Sequence, residues 1–161
     1  MRRASAVDAP ELAKLRFDFR SNMGPVSEPE RPFLDRCAVW MRERLAPGGC
    51  WRAWVAVGGG RIAGQVWLQL VEKMPNPAVE REFHGYVTNL YVAPEARGAA
   101  LGSDLLDAAL DYCRNAGVDS VILWPTEKSR TLYERAGFAV RDDVMEAVLD
   151  DGRAVAAGGG P

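Results

Sequence analysis

The sequence predicts one α/β domain with a mixed sheet of about six to seven strands, flanked by about four helices. Two observations predict it. Segments with apolar residues at helical spacing are interspersed with short β-rich runs along the chain, and glycine- or proline-rich breaks separate them. With 161 residues and 48% hydrophobic content, the chain is long enough to bury one core. The folded domain is expected over residues 1–152. Residues 153–161, small and glycine-rich, are expected to form a flexible tail.

The elements follow in order. Residues 2–6 read as a short first strand. Asp8-Ala9-Pro10-Glu11 reads as a helix start, with a capping Asp, Pro in the first turn and Glu three residues on. Leu12, Leu15 and Phe19 continue that helix, and Met23-Gly24-Pro25 ends it. A second helix is expected over residues 29–45, with Phe33, Cys37, Trp40 and Met41 as its apolar stripe. Residues 51–57 and 61–71 flank Gly58-Gly59-Gly60 as a hairpin. In its second strand Ile62, Val66, Leu68 and Leu70 share one face, and Gln65, Trp67 and Gln69 share the other. A polar loop leads to a strand over residues 86–92, which stops at Pro94 because proline cannot donate to a ladder. A helix over residues 103–115 buries Leu105, Leu106, Ala109, Leu110 and Cys113, with Gly117 as its cap. Residues 120–124 read as a buried strand. Thr126 caps a helix running to Ala136, and residues 138–142 and 144–149 read as a closing pair of strands.

Charge and composition narrow the function. Lys plus Arg number 20 and Asp plus Glu 22, a formal charge of −2 with no basic run, which argues against nucleic acid as a partner. No stretch of about 18 apolar residues exists, so no membrane-spanning helix is expected. Met1 leads straight into polar residues without a signal segment. Cys37, Cys50 and Cys113 are widely spaced and read as reduced thiols of a cytoplasmic protein. His84 is the single histidine, which excludes a His-rich metal site, and no metal is expected.

The segment richest in chemistry is 90–106, a strand that runs through small residues directly into a helix. The first N–H groups of a helix lack internal partners and carry the positive end of its dipole. Small residues let the main chain close on an anion, so this turn reads as a phosphate-binding turn. It is not the nucleotide loop GxxxxGK[ST], because Gly98 is followed by Gly102-Ser103 without a Lys. Nor does the spacing of Gly98 and Gly102 fit GxGxxG. The bland alternative is a tight turn that needs glycine for geometry alone.

Here the chain resembles the GNAT N-acetyltransferases. Their pattern (Arg/Gln)-x-x-Gly-x-(Gly/Ala) after a strand and Pro is matched by Arg97-Gly98-Ala99-Ala100-Leu101-Gly102, following Leu90-Tyr91-Val92-Ala93-Pro94. Their downstream Tyr-x-x-x-Gly-Phe is matched by Tyr133-Glu134-Arg135-Ala136-Gly137-Phe138. The resemblance covers nearly the whole chain. It implies a mostly antiparallel, twisted sheet that splays open at the site of acetyl-coenzyme A. It departs at Ala100, where the family has its first Gly, and at Thr126, where relatives often carry Asn. An Ala with negative φ there would keep the cradle intact, whereas a positive φ would cost about 1 kcal/mol or more.

The resemblance assigns roles. The diphosphate of coenzyme A rests on the amides of Gly98, Ala99, Ala100, Leu101, Gly102 and Ser103, with Arg97 alongside. The pantetheine arm pairs with the main chain of Leu90, Tyr91 and Val92, as an added strand would. Thr126 and Ser129 lie near the arm. Tyr133 is the general acid to the departing thiolate and also lies against the cofactor. The base stays open: Val87 and Thr88 stand where some relatives carry a Glu, which leaves Glu82, His84 and Asn89 as candidates to take the proton or to position water or amine. Phe33, Trp40, Trp67 and Gln69 are candidate walls of the acceptor pocket, with core packing as the alternative for each. The expected reaction is direct transfer of acetyl to a primary amine of a small molecule or peptide, in a ternary complex. Antibiotic, polyamine, amino acid and protein N-terminus stay open as acceptors, and a homodimer is compatible. Two other readings compete: a non-catalytic module that binds coenzyme A, and a nucleotide-binding enzyme of another α/β fold.

Overall fold

A computed structural model of the chain describes residues 1–147 and 149. Five strands form one sheet in the order β1 (Arg2–Arg3), β2 (Trp51–Gly58), β3 (Arg61–Glu72), β4 (Phe83–Val92) and β5 (Val121–Ile122). Every neighbouring pair is antiparallel except β4 and β5, which run parallel. Helices α1 (Ala9–Ser21) and α2 (Glu30–Arg44) cover one face of the sheet. Helix α3 (Leu101–Ala116) covers the other, and α4 (Arg130–Arg135) packs beside it.

Alternation along the strands divides the core in two. Ala53, Val55 and Trp67 pack under α1 and α2 with Leu12, Leu15, Cys37 and Met41. Trp54, Val66, Leu68 and Val87 pack under α3 with Leu105, Leu106 and Ala109. The register between β2 and β3 slips between Ala56 and Val57, which leaves Ala63 as an extra residue in β3. The slip turns Ile62 over to the α1 face, away from Val66 and Leu68, so the expected apolar row is broken at its first residue.

Asp8 does not cap α1. Its carboxylate turns back to accept from the Ser5 N–H at 2.8 Å and to pair with Arg2, whose Nη2 lies 2.7 Å away. Glu11 crosses to the sheet instead, accepting from the Ile62 N–H at 3.0 Å. This bond ties the first turn of α1 to the start of β3.

The sheet has fewer strands than the sequence suggests. Residues 138–147 form no strand, and Val148 and residues 150–161 lie outside the described set. Arg141 and Asp143 pair with each other at 2.6 Å, bending the chain where the two strands were expected to meet. Val140, Val144 and Met145 stay exposed. The run expected as a buried strand forms only Val121–Ile122, with Ile122 and Trp124 open to solvent. It is an edge strand whose one ladder, to β4, covers Gly85 and Tyr86. The helix expected from Thr126 divides into a single turn, Glu127–Ser129, and α4.

Candidate active site

The site begins where β4 parts from β5. Pairing between them ends at Tyr86, while β4 stays paired with β3 as far as Val92. From Val87 onward, the edge of β4 that faces β5 therefore has no neighbouring strand. Within this stretch the β3–β4 register also slips: Gln65 faces Tyr91 and Trp67 faces Thr88, so Asn89 and Leu90 together oppose Val66. This is a β-bulge, which bends a strand and re-aims its side chains. Asn89 takes φ +53°, a left-handed conformation that asparagine tolerates better than most residues. Leu90 points to the α3 side and Asn89 to the α1 side.

Beyond β4, one helical turn at Pro94–Ala96 leads through Arg97, Gly98 and Ala99 into α3. Gly98 has φ +87° and Ala100 φ +57°. Ala100 thus occupies the conformation glycine favours, and the expectation of a cost of about 1 kcal/mol or more applies. The N–H groups of Gly98, Ala99, Ala100, Leu101, Gly102 and Ser103 donate to no acceptor among the described residues. Six successive unpartnered amides at a helix start form a concentrated site for negative charge. The Arg97 side chain folds back, its Nε donating to the Val92 carbonyl at 3.2 Å and its guanidinium lying 6.0 Å from the Tyr91 ring centre.

α4 closes this end of the site. A Cβ at Gly102 would lie 3.8 Å from Leu132 and 4.0 Å from Val92, so the start of α3, α4 and the end of β4 meet. Tyr133, next to Leu132, is partly buried against Phe138, their ring centres 5.8 Å apart. Burial pushes its phenol above the ordinary value of 10.0, against a smaller opposing effect of Ser129. Ser129 also closes a turn with Thr126, accepting from its N–H at 2.9 Å and sharing a 2.8 Å hydroxyl bond with it.

The remaining candidates separate. His84 Nδ1 lies 2.5 Å from the Ser120 hydroxyl, at the opposite end of β4. At about 3.3 Å per strand residue, His84 is some 16 Å and Glu82 some 23 Å from Asn89. Neither is brought to the bulge, whereas Asn89 is part of it. Trp67 is 2% exposed and donates its indole N–H to Gln65 Oε1 at 2.9 Å, which places it in the core rather than on a pocket wall. Trp40 packs on Trp51 and Trp67, and Phe33 on Phe17, beneath α2. Gln69 pairs with Tyr86, and directly paired residues share a sheet face. Tyr86 and Thr88 therefore lie on the α1 face with Trp67, and the Tyr86 ring meets exposed Trp124 at 5.0 Å.

One residue at the site had been passed over. Arg16 of α1 donates from Nη1 to Asn89 Oδ1 at 3.1 Å and stacks near Phe19. Burial, and after it the like charge of Arg20, lowers its guanidinium from the ordinary value. The signal was present in the sequence: Arg16 is four residues after Leu12 and three before Phe19, a charge set in an apolar stripe.

The family model for the acetyltransferase (GNAT) family matches residues 12–138. The chain belongs to this family. A mycothiol acetyltransferase of Beutenbergia cavernae is 38% identical over 84 residues, 50% of this chain and 25% of its own length. A glucosamine 6-phosphate N-acetyltransferase of Trypanosoma brucei brucei is 33% identical over 90 residues, 56% of this chain and 59% of its own. The chain thus spans about a quarter of the mycothiol acetyltransferase it matches. Among solved structures, a GCN5-related N-acetyltransferase from Ralstonia eutropha superposes with TM-score 0.76 at 25% identity, covering 92% of this chain and 97% of its own. A predicted acetyltransferase from Clostridium acetobutylicum, solved with acetyl-CoA, gives TM-score 0.77 at 22% identity and covers 92% and 94%. No helix among the described residues of this GNAT protein is long and apolar enough to cross a membrane.

Proposed function

We propose that the chain transfers the acetyl group of acetyl-coenzyme A to a primary amine of a small molecule. One observation carries the proposal: six successive free amides, at 98–103, stand beside the unpaired edge of β4. A diphosphate suits the first feature, and the amide-bearing pantetheine arm suits the second. Relatives that match half of the chain or a little more are named mycothiol acetyltransferase and glucosamine 6-phosphate N-acetyltransferase, which supports a small-molecule acceptor.

Acetyl-coenzyme A supplies an activated thioester, whose C–S bond breaks as the amine nitrogen bonds to the carbonyl carbon. Main-chain N–H groups on the edge of β4 that lacks a neighbouring strand are suited to polarising that carbonyl. Tyr133 gives the departing sulfur a proton, and the proton the nitrogen sheds on becoming an amide returns through water to the Tyr133 phenolate. Its raised phenol stays protonated through the range in which amines lose theirs, as a proton donor requires. With His84 at the far end of β4 and Glu82 just before it, the amine enters already neutral, and Asn89 orients it or a water.

The test is release of free thiol across an amine panel, with isothermal titration of acetyl-coenzyme A. Tyr133→Phe should lower turnover by about a hundredfold, within the usual range for an acid catalyst, and leave cosubstrate affinity nearly unchanged. An unchanged rate would remove Tyr133 from the mechanism. Binding of acetyl-coenzyme A without thiol release on any amine would favour a non-catalytic module.

A further inference from the structure

Resting on the acetyltransferase reading, we propose that Arg16 selects the acceptor: the amine carries a carboxylate or phosphate group, which the Arg16 guanidinium binds. The observations concern a cation without a counter-charge. Arg2 pairs with Asp8 and Lys14 with both Asp18 and Glu30, while Arg3 and Arg20, unpaired among the described residues, are exposed to solvent; Arg16 is unpaired and partly buried. Arg16 makes no ion pair among the described residues, and Arg20, one helical turn further along α1, carries the same sign. Its one side-chain hydrogen bond uses a single N–H of the five that a guanidinium carries.

A partly buried guanidinium is costly to leave unpaired, so this arrangement reads as a site awaiting an anion. The planar fork of Arg matches the two oxygens of a carboxylate or phosphate. Its position fits the reaction. Arg16 touches Asn89, the residue of the bulge that points to the α1 side, at the stretch where β4 loses its β5 neighbour. Tyr86 and exposed Trp124 stand at the point of parting and offer apolar surface to the body of the acceptor. An anion held on Arg16 would bring the amine of the same molecule toward the open edge of β4.

The experiment uses matched amines that differ in the anionic group. β-Alanine is compared with β-alaninamide, and glucosamine 6-phosphate with glucosamine, on the full chain with coenzyme A present. Calorimetric affinity is read beside thiol release from acetyl-coenzyme A. In at least one pair the anionic member should bind roughly ten- to a hundredfold more tightly, the span expected of hydrogen bonds to a charged group. The pair that shows the preference identifies the anion as carboxylate or phosphate. Arg16→Gln should bring that ratio close to one, and Arg16→Lys should keep part of it. Equal affinities in both pairs, or a preference that survives Arg16→Gln, would overturn the proposal. An anion preference lost in Arg16→Gln, together with no thiol release on any amine of the panel, would uphold the anion site while overturning the acetyltransferase reading.

Discussion

Replacing Ala100 with glycine should stabilise the protein, an unusual expectation for glycine at a helix start. Ala100 holds φ +57° and ψ 7°, where an L side chain crowds its own main chain. Relief of that crowding is worth about 1–2 kcal/mol. Against it stands the greater freedom glycine gains in the unfolded chain, about 0.5–1 kcal/mol. The net gain is about 1 kcal/mol, or about 2–4 °C in melting temperature for a chain of this size. Ala99 supplies the control, since it is not among the positive-φ residues. Ala99→Gly incurs the same entropic cost without relief and should lower the melting temperature. Scanning calorimetry and urea denaturation of both variants measure the difference. Ala100→Gly also keeps every N–H of the turn, so acetyl-coenzyme A should bind it no more weakly than the parent. A fall in stability for Ala100→Gly, or equal effects at both positions, would refute the assigned backbone and the cost attached to it.

Two more outcomes follow from buried polar contacts. The bond from Arg2, assisted by Ser5, holds the Asp8 carboxyl at about 2, below its ordinary 3.8. A depressed folded value stabilises the protein fully above about pH 4, and the contribution is lost as pH falls through about 2. Because Arg2 is half-exposed, the effect is about 1–2 kcal/mol rather than the full linkage value. Asp8→Asn should therefore lower the urea midpoint at neutral pH, and its gap from the parent should close in acid. Trp67→Phe removes the donor to Gln65 Oε1, which is fully buried, and should cost about 1–3 kcal/mol with little change in amine KM. A changed KM with unchanged melting would return Trp67 to the acceptor pocket.

Legibility in the sequence followed the range of the physics. The strand, turn and helix at 86–116 were readable because proline, glycine and a helical apolar stripe all act locally. The two bulges were not. Ala63 and Asn89 are extra residues only relative to the strand opposite, and no single-strand pattern encodes a mismatch between two strands. The sign of φ at Ala100 was hidden for a similar reason, since the required conformation comes from how β4 delivers the chain to α3. At the C-terminal end, 138–142 and 144–149 read as a pair of strands, but β5 is too short to offer them a ladder and Arg141 pairs with its near neighbour Asp143.

The two halves of the site rest on different parts of the molecule. The donor half is main chain, the amides at 98–103 and the open edge of β4. What holds it in place is packing at a distance: Leu105 and Leu106 of α3 are fully buried, and a Cβ at Gly64 would meet both Leu105 and the Tyr91 carbonyl at 3.1 Å. Side chains in the turn itself matter less than the backbone they allow: Ala99 is accommodated without strain, while Ala100 is tolerated at a positive φ and at a cost of about 1–2 kcal/mol. The acceptor half is the reverse. Arg16, Asn89, Tyr86 and Trp124 come from α1, β4 and the segment after β5, and their side chains meet only through tertiary packing. A motif records the donor half because it is contiguous in sequence. If Arg16 selects the acceptor as proposed, the choice of amine rests on residues far apart in sequence, and α1 is the element through which that choice would be altered without disturbing the grip on coenzyme A.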